Sequence, residues 1–487
     1  MGCKVPLSLN LLNVGHVVWH RFRWVFCQLD TLRRCMVSSI RQALNTLPAS
    51  LDETYERILQ GIPMQKRTHA YRLFQCLIAS IRPLKLEELA EIYAIQFDSE
   101  AGTKLEESWR PDDAEDAVLS ACSSLVPIVK TKDSQIVQFS HFSVKEFLTA
   151  DRLATSTATN IRYFHAPLES AHTILVQACV AVLLQLDEKV DRKRIKSLPL
   201  AFYAGRYWAD HAQFKNVELQ IQDRIELLFD ATKPHFAAWT WIYEGGGLST
   251  TGPSEHPPSI RAPPLHYAAL FGLGWTTKQL VVTRRQGIDV EGGWLGTPMC
   301  AALVMGHLGV ARFLLEHGAD VNARNWRGLT PLQTSSRVGD VEAMRLLLDF
   351  RADANVRDSH GRSPLDEAAF YGQHEITHIL LQHNADVNAK GFLGRPSLYY
   401  ASKKGHVEVV RLLIQHGANI DAQDIGLRTP LHWASGEGML DVVRLLLELG
   451  ADVHKRSSLN ETPFQVASER EFSEIAQLLS DHGAAKE

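Results

Sequence analysis

One residue position recurs through the second half of the chain at Pro264, Pro298, Pro331, Pro364, Ser397, Pro430 and Pro463. The first interval is longer by one than the five that follow, which are all equal, and that interval matches a repeat period of about 33 residues. A second landmark, Gly318, Arg351, Asn384, Gly417, Gly450 and Gly483, keeps the same step. Two landmarks in one register constrain the fold more than any other feature. A self-similar period of this length means stacked units, each too small to bury its own apolar face. The clearest copies are TPLHWASGEGMLDVVRLLLELGADV from Thr429 and SPLDEAAFYGQHEITHILLQHNADV from Ser363. In this period Thr or Ser is placed to cap a short helix, Pro takes the first turn, and Leu with the following Ala pair turns inward. A second amphipathic helix such as VVRLLLEL follows, and Gly ends it where φ must be positive. An extended ADVNA stretch is expected to carry the chain into a turn toward the next unit.

This motif resembles the ankyrin repeat closely, with seven units over residues 263–487. The resemblance implies a helical solenoid that is not catalytic and binds another protein on its concave face. The first unit has three extra residues before Gly287 and reads as an adapted cap. The last, ETPFQVASEREFSEIAQLLSDHGAAKE, ends in a polar helix and reads as a stop.

The register also disposes of a tempting motif. HEITH at residues 374–378 has the H-E-x-x-H spacing that offers zinc two imidazoles and a general-base carboxylate from one helix face. Aligned with GHVEVVRLLI, however, His374 falls on Val407, Glu375 on Glu408 and His378 on Arg411, ordinary second-helix positions. No Glu follows between Ile376 and Val407 to act as a third ligand, and residue 384 is Asn. No metal, cofactor or catalytic residue is expected in the array.

Its candidate binding residues follow from the same register. Phe370, Tyr371, Tyr400 and Trp433 come just after the TPLH position and should stand exposed on the concave side as anchors. Arg362, Arg395 and Arg428 share one position in successive units and should form a bordering row on the turn tips.

Upstream, EGGGLSTTGPSEHPPSIRAPP is a Gly/Pro/Ser-rich linker, residues 244–262 in our division of the chain. Residues 166–243 read as helical, with LESAHTILVQACVAVLLQL the strongest segment. Within 33–165, Ser50 opens SLDETYERIL as a capping box, helices cover Gln65–Ser80 and Leu86–Ile95, and AVLSACSSLVPIV to IVQFSHFSVKEFLTADRLA gives helix, strand, turn, strand, helix. That is the order of a winged helix. Together with RFRWVFCQLDTLRRC and LPASLDETYERIL, this half resembles the region after the nucleotide-binding core of fungal NACHT proteins of the STAND class. Residues 1–32 would then be the remnant of that core's end. A similar winged-helix segment is named for GPI inositol-deacylase. The resemblance implies that His141 in SHFSVKEFL is the winged-helix histidine that reaches a bound nucleotide phosphate.

Several function classes are excluded by what the sequence lacks. No glycine is followed by lysine, so no G-x-x-x-x-G-K-[ST] phosphate loop exists and His141 has no phosphate to hold. No G-x-S-x-G nucleophile elbow supports a lipase. Residues 1–162 carry 19 basic and 18 acidic residues, and residues 263–487 carry 22 and 26, so neither half is a polycation made for nucleic acid. The seven cysteines, Cys3, Cys27, Cys35, Cys76, Cys122, Cys179 and Cys300, are odd in number and scattered, which fits a reducing compartment. Val5–Trp19 is too short and too interrupted to span a bilayer. Met1-Gly2-Cys3 lacks the Ser or Thr that a myristoylation site wants, because Pro6 stands there. The expectation is a mainly α, non-enzymatic cytoplasmic protein: a winged-helix and helical N-terminal region followed by an ankyrin-repeat solenoid, acting as an interaction scaffold or sensor without membrane or nucleic-acid partners. The alternative is a DNA-binding regulator that uses the winged helix.

Overall fold

The computed structural model describes residues 50–97, 102–122, 125–132, 134–186, 190–244, 262–293 and 295–484. The expected NACHT remnant, residues 33–49, the interior of the linker, and Cys3, Cys27 and Cys35 lie outside the described residues. The chain is mainly α and divides into two units, Met1–Ile260 and Arg261–Glu487.

In the first unit, helix α1 (Leu51–Gln60) is capped by Ser50, whose Oγ accepts the Glu53 N–H at 3.1 Å. Then follow α2 (Arg67–Ala79), β1 (Leu84–Lys85), α3 (Leu86–Ala90), a small hairpin of β2 (Ile95–Gln96) and β3 (Lys104–Leu105), and α4 (Ala114–Cys122). Strands β4 (Ile128–Lys130) and β5 (Gln135–Val137) close an antiparallel sheet of order β1-β5-β4, with Leu84 and Ile128 both opposite Val137. The turn between β4 and β5 is tied by the Thr131 N–H and hydroxyl, both donating to the Ser134 carbonyl. Helix, strand, helix, helix, strand, wing, strand is the winged-helix order, and α5 (Phe142–Thr149) follows it.

Helix α6 (Leu168–Leu183) packs on both α2 and α7 (Ala201–Ala212), so the winged helix and the helices after it share one core. From Leu175 to Leu183 all but Gln177 are buried, as expected of a helix apolar on every side. Trp208 on α7 and Trp239 on α8 (Pro234–Tyr243) meet edge to face at 5.3 Å. The Trp239 Nε1–H donates to the Gly205 carbonyl at 3.1 Å. A Cβ at Gly205 would stand 2.4 Å from Ile242 Cγ2, so only glycine allows this close approach.

The second unit is a row of helix pairs. The first helices are α9 (Pro264–Leu270), α11 (Pro298–Val304), α13 (Pro331–Val338), α15 (Pro364–Tyr371), α17 (Ser397–Lys404), α19 (Pro430–Gly436) and α21 (Pro463–Glu469). Their partners are α10 (Gly274–Lys278), α12 (Leu308–Glu316), α14 (Val341–Asp349), α16 (His374–Gln382), α18 (Val407–Gln415), α20 (Leu440–Glu448) and α22 (Ser473–Asp481). First helices pack on first helices and second on second, the arrangement of ankyrin repeats. Side-chain caps from Thr297, Thr330, Ser363, Thr429 and Thr462 stabilise the first helices by about 1 kcal/mol each. Leu332, Leu365, Leu398 and Leu431 on first helices, with Leu347, Leu380, Leu413 and Leu446 on second helices, are each at most 1% exposed.

The second landmark is a conformational one. Gly318, Arg351, Asn384, Gly417, Gly450 and Gly483 all have positive φ, between 61° and 93°. In the first repeat the extra residues are absorbed as a wide π turn over Gln279–Thr283. The ADVNA stretches depart from expectation: they are turns, not extended strands. A side-chain ladder explains why. Asp289, Asn322, Asn355, Asn388 and Asp421 each accept the backbone N–H of the residue 31 positions later, at 2.8–3.1 Å. With these amides bonded to a side chain of the preceding unit, the repeats are laced together without a β ladder.

Candidate protein-binding face

The row of first helices brings the expected residues together, with two corrections. Tyr371 is 40% exposed, and Phe370 and Trp433 are half-buried. Tyr400, expected to be exposed, is only 9% exposed, and burial pushes its hydroxyl up to about 12. The rings form a continuous edge-to-face chain. Phe370 meets Tyr371 at 5.0 Å and Tyr400 at 6.3 Å, Tyr400 meets Tyr399 at 4.8 Å, and Tyr399 meets Trp433 at 5.0 Å. Tyr399 is 3% exposed, so the middle of the strip is packing between neighbouring repeats, a closeness of helices that the repeat register alone does not specify.

The second correction concerns the arginines. They are not solvated tips; each lies half-buried at the start of its repeat, against carboxylates. Arg362 contacts Asp358 at 3.2 Å and Glu367 at 2.8 Å, Arg395 stands 3.7 Å from Asp424, and Arg428 3.8 Å from Glu461. The carboxylates of Asp358, Glu367 and Asp424 are 1%, 2% and 4% exposed, whereas Arg362, Arg395 and Arg428 are 30%, 22% and 32% exposed. Around Arg362 and Arg395 the acids therefore lie beneath and the cations above, whereas Glu461 beside Arg428 and Glu437 beside Lys403 are 22% and 32% exposed, so positive charge is uncovered chiefly at the first two arginines. Burial holds the carboxyls of Asp366 and Glu367 above the usual range.

Trp433 is the hub. Its Nε1–H donates to Asp424 Oδ2 at 3.2 Å, while Asp424 Oδ1 accepts the Gly426 and Arg428 N–H groups, each at 2.9 Å. Arg395, Lys403 and Arg428 stand 5.2, 4.8 and 5.1 Å from the indole centre. Lys404 lies over Phe370 at 4.8 Å and Arg337 over Tyr371 at 5.5 Å. The sequence reading missed Arg337, Tyr399, Lys403 and Lys404; the available signal was that Arg337, Phe370 and Lys403 share one register position of the repeat.

The other candidates sit apart from this face. His374, Glu375 and His378 are all exposed on α16, where Glu375 pairs loosely with Arg345 at 3.4 Å and His378 contacts Gln382 at 3.0 Å. Among the described residues, no three His, Cys, Asp or Glu side chains gather closely enough to hold a metal ion. His141 is the N-cap of α5: its Nδ1 accepts the Ser143 N–H at 3.2 Å and lies 2.6 Å from Ser143 Oγ, which in turn meets the Tyr55 hydroxyl at 2.8 Å. Cys76, Cys179 and Cys300 are buried free thiols. No helix among the described residues is long and apolar enough to cross a membrane.

Known proteins agree with this architecture. Residues 55–160 match the winged helix domain of GPI inositol-deacylase, residues 323–391 and 392–457 match ankyrin repeats in sets of three copies, and residues 297–326 match a single ankyrin repeat. The azaphilone pigments biosynthesis cluster protein L of Monascus ruber is 31% identical over 343 residues, covering 65% of this chain and 71% of that protein. The chain belongs to the family of that Monascus protein and carries a GPI inositol-deacylase-type winged helix followed by ankyrin repeats.

Proposed function

We propose that this protein is a non-catalytic scaffold or sensor that binds a protein partner on the first-helix face of its ankyrin array, the concave face of such a solenoid. The observation that carries the reading is the strip from Tyr371 to Trp433, where aromatic rings are overlaid by cations and the carboxylates of Asp358, Glu367 and Asp424 are buried beneath Arg362 and Arg395. Aromatic and arginine side chains dominate the energetics of protein interfaces. The partner segment would carry apolar anchors and acidic flanks. By its resemblance to NACHT proteins of the STAND class, the chain would act in cytoplasmic signalling, its winged-helix unit regulatory rather than catalytic.

The DNA-binding alternative receives less support. The third helix of a winged helix is the one that enters a major groove. Here that helix is α4, AEDAVLSAC, which carries Glu115 and Asp116 and no basic residue. Lysine cross-linking with mass spectrometry on the whole chain, captured with its partner, tests the proposal. Cross-links from Lys403 and Lys404 to the partner are expected; cross-links confined to second helices or to the first unit would refute it.

A further inference from the structure

The two ends of the first-helix face differ in chemistry. Between α11 and α13, which approach each other least closely of all neighbouring first helices, lies a cavity of about 80 Å³. Its walls include Leu295, Leu303, Val304, Leu329 and Val338. Of these, Val338 is 71% and Val304 47% exposed, and Met305, next to Val304 in sequence, is 50% exposed. Between α17 and α19 lies the cation cluster around Trp433. There Arg395, Lys403 and Arg428 reach their carboxylates only at 3.7–3.8 Å, beyond hydrogen-bond distance. The Arg395 Nε–H is buried with no acceptor at all. Such a donor is satisfied by an ordered water or by a ligand that reaches the cluster.

The repeat register puts both ends on one surface. Val304, Arg337, Phe370 and Lys403 occupy one position of successive units, and Met305, Val338, Tyr371 and Lys404 occupy the next. From repeat 2 to repeat 5 each series runs from an aliphatic residue through an aromatic one to a lysine, with Arg337 standing before Phe370 in the first; repeat 6 then places Gly436 and Glu437 at these positions.

We infer that this face reads a polarised peptide: one aliphatic side chain seated between repeats 2 and 3, and one oxyanion-bearing side chain, carboxylate or phosphate, held by Arg395, Lys403 and Arg428 between repeats 5 and 6. The inference rests on the proposed binding face and adds a direction and a spacing. Three helix-to-helix steps of about 8–10 Å separate the two subsites by about 24–30 Å. An extended chain advances about 3.3 Å per residue, so the anchor and the anion should lie about seven to nine residues apart. The oxyanion would complete the hydrogen bonds that Asp424 cannot, since Asp424 already accepts from Gly426, Arg428 and Trp433. Aromatic residues would suit the interval, over Phe370 and Tyr371.

The test pans a display library of random peptides, each long enough to span both subsites, against the whole chain. The selected peptides are then measured by calorimetry, each synthesised with Glu and with phosphoserine at its anionic position. Selected peptides should pair an aliphatic residue with an acid at the stated spacing. Val338→Asp should weaken them about tenfold, and the Arg395→Gln/Arg428→Gln double variant should weaken them about tenfold while flattening their salt dependence. The Glu and phosphoserine arms identify which oxyanion the cluster prefers. Circular dichroism confirms that each variant is folded. Peptides that lose affinity for Val338→Asp but carry no acid and tolerate the double variant would overturn the polarised reading while leaving the binding face intact. A library that yields no binder, or binders indifferent to every variant, would overturn both.

Discussion

Trp433→Ala separates packing from binding at the centre of the candidate site. The indole is half-buried, in ring contact with Tyr399, beneath three cations, and bonded to Asp424. A Trp side chain removes about 150–250 Å² from water; at the lower bound and about 25 cal/mol per Å², truncation removes about 3–4 kcal/mol. The lost hydrogen bond to a buried carboxylate adds about 1–2 kcal/mol, and inward collapse of the Lys403 and Arg395 stems recovers part of it. The net expectation is a local loss of about 4 kcal/mol, nearly three decades in an opening equilibrium. Because repeat arrays couple mainly to nearest neighbours, the loss should be concentrated in repeats 5 and 6. Hydrogen exchange read by mass spectrometry over α17 and α19 measures it directly. Trp433→Phe, which keeps most of the ring area and loses the N–H, should accelerate exchange by only about one decade. If Trp433→Ala accelerates exchange in α17 and α19 by less than tenfold, the indole is not held by its neighbours and the packing described above is wrong.

Arg351→Gly should raise stability by about 0.5–1 kcal/mol, because a left-handed arginine replaces the glycine of other repeats; thermal unfolding checks it, and a lowered Tm would refute the strain. Asp366→Asn keeps the acceptor for the Ser363 N–H and reverses the bond that the Ser397 hydroxyl donates to Asp366 Oδ1, its amide NH2 donating to Ser397 Oγ, while removing a buried charge. Since the Asp366 pKa is raised in the fold, its ionisation destabilises as pH rises from 3.8 through the folded value, so the Asn variant should match or exceed the parent at pH 7 and lose that slope in a Tm-against-pH series. His211, fully buried against Tyr203 and His172, titrates at about 3 instead of 6.5, so stability should fall by about 1.4 kcal/mol per pH unit as pH drops below 6.5; His211→Gln should flatten denaturant titrations over that range. Chelation with EDTA should leave the array's melting unchanged, since α16 offers exposed His374 and His378 but no third ligand; a drop in Tm would restore a structural metal to consideration.

The sequence by itself determined the solenoid, because its information is local and repeated. A cap residue, a proline in the first turn, leucines on one stripe and a positive-φ residue at each helix end are decided within a short stretch of chain, and repetition at one fixed period multiplies the signal. The winged helix was legible for the same reason, as a change from helical to strand patterning before SHFSVKEFL. The register also removed HEITH from the chemistry by placing it on an ordinary second helix. Only the tertiary structure decided how the residues of the candidate face are packed and paired. Whether Tyr400 is exposed depends on how tightly α17 lies against α15, and whether Arg395 is a free tip depends on where Asp424, in the turn that opens the next repeat, comes to rest. The same holds for the gap between α11 and α13, which arises from helix approach rather than from any motif. Pairings between repeats set charge and exposure through distances between helices, and a one-dimensional period specifies which positions face the same way but not how far apart they stand.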